Sequence, residues 1–104
     1  MLVINEVADA LSKSDTPIIK PIYDRAGNRL LVIGLRSGVT FPEHLAPSQA
    51  KLMVVQGEID FKTATNTYRF ERFDSFDIPM DVKHSVLGVF DAIFLLLLGA
   101  PKDI

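Results

Sequence analysis
The sequence predicts an all-β domain of the sandwich, jelly-roll or barrel kind, with one short helix ahead of it. Three observations carry that reading. From Pro17 to Ile104 the apolar residues come in short bursts separated by Gly, Pro, Asn and Asp, and no stretch there sustains a helical period over three turns. Several bursts alternate apolar with polar residues, as half-buried strands do. No helix-length segment lies between the bursts to act as a crossover, which removes the α/β architectures. With 104 residues and 11.5 kDa the chain has room for one hydrophobic core, so 1–104 reads as a single domain.

The elements follow in order. Glu6 to Leu11 is the helix, with Val3, Val7 and Leu11 on one face and Asn5 placed to cap it. Ile18 to Tyr23 and Leu30 to Leu35 flank Asp24–Arg29, in which Gly27 and Asn28 tolerate the positive φ of a tight turn, so a hairpin is expected. Lys51 to Lys62 and Thr67 to Phe73, joined across Ala64-Thr65-Asn66, make a second; Ile59, Phe61, Tyr68 and Phe70 alternate with polar neighbours along it. Ser75 to Ile78 is a short strand stopped by Pro79. His84 to Gly88 and Asp91 to Gly99 read as a last hairpin about Val89-Phe90, for roughly eight strands in all.

Composition excludes several classes of function. Eleven Lys and Arg are scattered among thirteen Asp and Glu, a net charge of −2, so there is no basic excess for nucleic acid. The absence of cysteine removes disulfides and thiolate chemistry. The amino terminus lacks the basic start and apolar run of a signal peptide, and Ala92–Leu98 falls far short of the roughly 20 residues a membrane helix needs. A cytoplasmic protein without membrane or nucleic-acid partners is expected.

Three strands are apolar at consecutive positions, Leu30-Leu31-Val32-Ile33, Leu52-Met53-Val54-Val55 and Ile93 to Leu98, so both of their faces want cover. A barrel of this size covers only the inner ones. The amino-terminal segment is one remedy for the outer faces, and a self-complementary twofold contact is the other, so a homodimer is expected.

Two stretches carry a resemblance. In the first, residues 38–57, a Gly, a His and a Gly stand at Gly38, His44 and Gly57; in the second, residues 73–88, Asp74, Ile78-Pro79 and His84 stand in order. Together they resemble the two motifs of the cupin superfamily, with Phe73 and Asp81 where that family has glycines. The resemblance implies a double-stranded β-helix, or jelly-roll barrel. It also implies a metal held by three histidines and one glutamate. Here His44 and His84 match two of those positions, while the other two are Ala46 and Ala50. Two neutral imidazoles without the compensating carboxylate make a weak site, so no metal or other cofactor is expected. Glu43 and Gln49 are adjacent to motif positions and point the wrong way on a regular strand. Asp81 is the remaining substitute, so a divalent transition metal, if bound, would sit on His44, His84 and Asp81.

By the same alternation Ala46, Ala50, Leu52, Val54, Ile78, His84 and Val86 face inward with His44. That set, apolar side chains with two orienting imidazoles, suits a pocket for a small, partly apolar ligand. It also suits a packed barrel core. No serine has a nucleophile setting, since Ser85 lies on the strand face opposite His84 and lacks an acid partner. Three readings stay open: a metal-independent binding protein or pared-down enzyme using His44 and His84, a metalloenzyme of oxygenase or isomerase type with a reduced ligand set, and a dimerisation module with a filled barrel.

Overall fold
The computed structural model describes residues 2–46 and 48–99. One helix, α1 (Val3–Leu11), precedes seven strands among the described residues: β1 (Ile18–Arg25), β2 (Asn28–Leu35), β3 (Thr40–His44), β4 (Ala50–Lys62), β5 (Thr67–Phe70), β6 (Ser75–Ile78) and β7 (His84–Leu98). All pairings are antiparallel, in the order β1-β2-β7-β4-β5, with β3 on β7 and β6 on β4.

Two long strands fold this sheet over on itself. The first half of β4 lies between β6 and the second half of β7, whereas its last residues lie between β5 and the first half of β7. The change of partners falls where the β4–β7 register slips repeatedly between Val54 and Ile59. Such bulges bend a strand and sharpen its twist. Gly57 sits within them at φ 71°, and a Cβ there would lie 2.3 Å from the carbonyl oxygen of Asp91. Only glycine fits that crossing.

The expected last hairpin is therefore one continuous strand. Val89-Phe90 contains no residue suited to positive φ, and Gly88 serves another purpose: its missing side chain lets the Leu35 and Arg36 carbonyls approach to 2.7 and 2.8 Å of the Cβ position. The first hairpin does turn tightly, but on Ala26 (φ 54°) and Gly27 (φ 80°), with Arg25 facing Asn28. Positive φ at both central residues is the geometry that matches strand twist, and it makes Asn28 the first residue of β2 rather than part of the turn. The second hairpin's return strand stops at Phe70, because Phe73 has a φ of 73°. Phe73 thus holds the left-handed conformation that the resembled motif assigns to glycine.

α1 begins three residues earlier than expected. Its N-cap is Leu2, with no side-chain cap, and Asn5 lies inside the first turn. Burial of Val3, Val7 and Leu11 against Ile18, Val32, Val55, Ile93 and Leu95 holds it instead. Gly34 lets it seat closely, since a Cβ there would meet Val7 at 2.7 Å. A second, larger core fills the barrel, with Ile33, Leu35, Leu52, Val54, Ile59, Phe61 and Phe94 at its centre. The doubly apolar strands thus give one face to the barrel core and part of the other to α1. No helix of the described residues is long and apolar enough to cross a membrane.

Candidate functional site
The two histidines end facing strands. His44 closes β3, His84 opens β7, and the two are paired in register. Their ring centroids lie 4.3 Å apart at an interplanar angle of 62°. Phe41 packs against His44 with centroids 4.8 Å apart, and Phe61 stacks on His84 at 4.7 Å and 20°.

Each ring is oriented by its own backbone. The Nδ1–H of His44 donates to the Pro42 carbonyl at 2.8 Å, and that of His84 to the Val82 carbonyl at 3.1 Å. A carbonyl oxygen only accepts, so Nδ1 carries the proton in both rings, and in the neutral ring the lone pair is on Nε2. Among the described residues nothing bonds to either Nε2, and no buried side-chain nitrogen or oxygen is sealed off without a partner. Both Nε2 atoms are therefore unbonded without being sealed off. His84 is only 2% exposed. Burial pushes its imidazole below the ordinary histidine value; the Val82 carbonyl opposes that shift, and charge on His44 adds to it.

Both rings border a cavity of about 160 Å³. His44, Ala46, Ala50, Ile78 and His84 line it, together with Ile19, Leu31, Ile33, Phe41, Leu96 and Leu98. Leu52 and Val86 bound a deeper recess of about 20 Å³ that shares both histidines. Val54 is buried but borders neither, because it stands two residues further along β4 in the packed part of the core. The barrel is thus filled around Val54, Ile59 and Ala92 and open at its histidine end. A larger groove of about 580 Å³ adjoins the cavity through Ala50, Ile78 and Leu98, and it brings in Gln49, Lys51 and Asp77 at the surface. It is an open depression without either imidazole; the convergent polar groups are in the smaller space.

β3 and the walls contributed by β1 and β2 are absent from the sequence reading. Pro42 and the scarcity of apolar residues hide β3, which is a short edge pairing only with β7. Ile33 and Leu31 carried a signal, since a strand apolar on both faces has an inner face as well as an outer one.

A resident metal does not fit the donors present. Glu43, Gln49 and Asp81 are all exposed. Among the described residues no three of His, Asp or Glu side chains gather as a metal site would need. Where two further ligands would project stand Ala46 and Ala50, 9% and 8% exposed. Two imidazoles alone complete neither a tetrahedral nor an octahedral shell.

No family model and no curated protein matches the sequence. Solved structures do share its shape. A protein with a double-stranded β-helix domain from Klebsiella pneumoniae is similar with a TM-score of 0.77 at 17% identity, over 92% of this chain and 88% of its own. A cupin-2 domain containing protein from Shewanella frigidimarina is similar at 0.74 and 12% identity, over 98% of this chain and 95% of its own. For a cupin superfamily protein from Desulfitobacterium hafniense the values are 0.75 and 12%, over 81% and 77%. Identities this low speak to fold and not to activity. The fold of this chain is the cupin barrel, a double-stranded β-helix, as its two motif-like stretches imply.

Proposed function
We propose that this chain binds a small, partly apolar organic molecule, without a metal, in the cavity beside His44 and His84. The observation that carries the reading is an apolar space of about 160 Å³ whose only polar wall groups, among the described residues, are two imidazoles with Nδ1 committed to backbone carbonyls and Nε2 unbonded. An apolar pocket with few, convergent polar groups is the usual makeup of a ligand site. A cavity of roughly 150 Å³ takes a benzene-sized guest, which sets the scale. The unprotonated Nε2 of His84 is also the atom that acid–base chemistry would use in this space.

The test is side-chain NMR of both histidines during titration with single-ring compounds, for wild type and for Ala46→Leu, which fills the cavity. Binding by the wild type and loss in the variant support the reading. Stoichiometric binding of zinc or nickel by the wild type would replace it with a metal-centred one.

A further inference from the structure
The two histidines define the chemistry of the guest as well as its place. This inference rests on the binding reading above. Both Nδ1–H groups are committed to the carbonyls of Pro42 and Val82, so in their neutral form the rings have no donor left for a ligand. Each neutral ring offers one acceptor, and the two rings, 4.3 Å apart between centroids, line the same cavity. The other described residues of the wall contribute hydrocarbon. An anion finds no donor there, and an ammonium finds no carboxylate to offset its desolvation.

Water is a poor occupant too. The cavity has room for several molecules at roughly 30 Å³ each, but two acceptors satisfy only the nearest of them. A molecule with one polar group and an apolar body uses the acceptors and replaces the remaining water with hydrocarbon contact.

We propose that the ligand is an uncharged hydrogen-bond donor, a hydroxyl or primary amide on an apolar frame of roughly one six-membered ring, with its donor held by the Nε2 atoms of His44 and His84. The imidazoles select for the donor, because a guest lacking it leaves buried lone pairs unsatisfied. The barrel wall selects for size.

Phenol and toluene separate these contributions, since they have nearly the same shape and differ in the donor; anisole keeps the oxygen and removes the proton. Calorimetric or NMR titration of the wild type should give phenol roughly tenfold or more tighter binding than either of the others. In His44→Leu, and more fully in His44→Leu/His84→Leu, that preference should fall to near unity while toluene binding persists. Equal binding of phenol and toluene by the wild type overturns the donor assignment and leaves the cavity reading standing. Failure of all three probes to bind overturns both. The wild-type comparison decides the matter even where a variant does not fold.

Discussion

His44 and His84 are register partners on β3 and β7, 4.3 Å apart between ring centroids, each tied through Nδ1 to the carbonyl two residues before it. The local bond sets which nitrogen is free, and the strand pairing sets the two rings side by side. Consequences for pH follow from the burial of one member of the pair. His84 has a lowered pKa in the folded state, so the unfolded chain binds more protons over the interval between the two values. Stability should be unaffected above the unfolded value of about 6.5, fall as pH drops below it, and level off beneath the folded value. Urea denaturation of wild type and His84→Asn between about pH 8 and pH 5 isolates this contribution, because Asn does not titrate there. Parallel pH profiles for the two proteins would mean that burial does not hold His84 neutral.

Backbone conformation gives a graded series. Gly57→Ala should cost several kcal/mol or abolish folding, since its Cβ would collide with the Asp91 carbonyl. Gly38 also has positive φ, at 88°, but open space around the Cβ position, so Gly38→Ala should cost only the ~1–2 kcal/mol of the left-handed conformation. Phe73→Gly should run the other way and stabilise by up to about 1 kcal/mol, because Phe73 is 71% exposed and has little packing to lose. Denaturant midpoints of the three variants test the order. Equal costs at Gly38 and Gly57 would contradict the close crossing of β4 and β7.

Ala46→His with Ala50→Glu should create a divalent transition-metal site that the wild type lacks. Both positions line the cavity with His44 and His84, and the change brings the donors to three imidazoles and one carboxylate. The apo variant should be less stable by about 1–3 kcal/mol from crowding, and metal should more than restore it by binding the folded state alone. Thermal melts with and without zinc, beside calorimetric titration, read both effects. A folded variant that binds no metal would show that the four side chains do not converge.

α1 covers Val32 and Ile93 on the outer face of the sheet and leaves a groove of about 360 Å³ among Leu30, Met53, Leu95 and Leu97. Met53 and Leu97 are 39% and 51% exposed. A second copy of the chain is the expected cover, because Lys51 and Asp77, an exposed ion pair 3.7 Å apart beside Met53, give a twofold contact both charges it needs to cross-pair at the rim. Light scattering at micromolar concentration should report twice 11.5 kDa for the wild type and the monomer mass for Met53→Lys/Leu97→Lys. A wild type of 11.5 kDa would leave this face without an occupant.

Much of the barrel was legible because its signals are local. Alternation at Ile59, Phe61, Tyr68 and Phe70, turn chemistry near Gly27 and Asn66, and the stop at Pro79 each act within a few residues. The misreadings share a cause as well. Val89-Phe90 looked like a turn between two apolar runs, yet β7 runs straight through because β4 supplies a partner for both halves. Asn5 looked like a cap, yet α1 extends past it because Val3 finds apolar partners on the sheet.

The sequence by itself determined the fold class, the inward side of β4 at Ala50, Leu52 and Val54 and of β7 at His84 and Val86, and the replacement of two expected ligands by Ala46 and Ala50, since periodicity and residue identity decide those without reference to distant parts of the chain. Only the tertiary structure decided that His44 faces His84, that both rings line one cavity, and that the barrel is open there and filled around Val54. Those depend on the register between strands 40 residues apart in sequence and on which side chains reach the same volume, and neither strand carries that information alone.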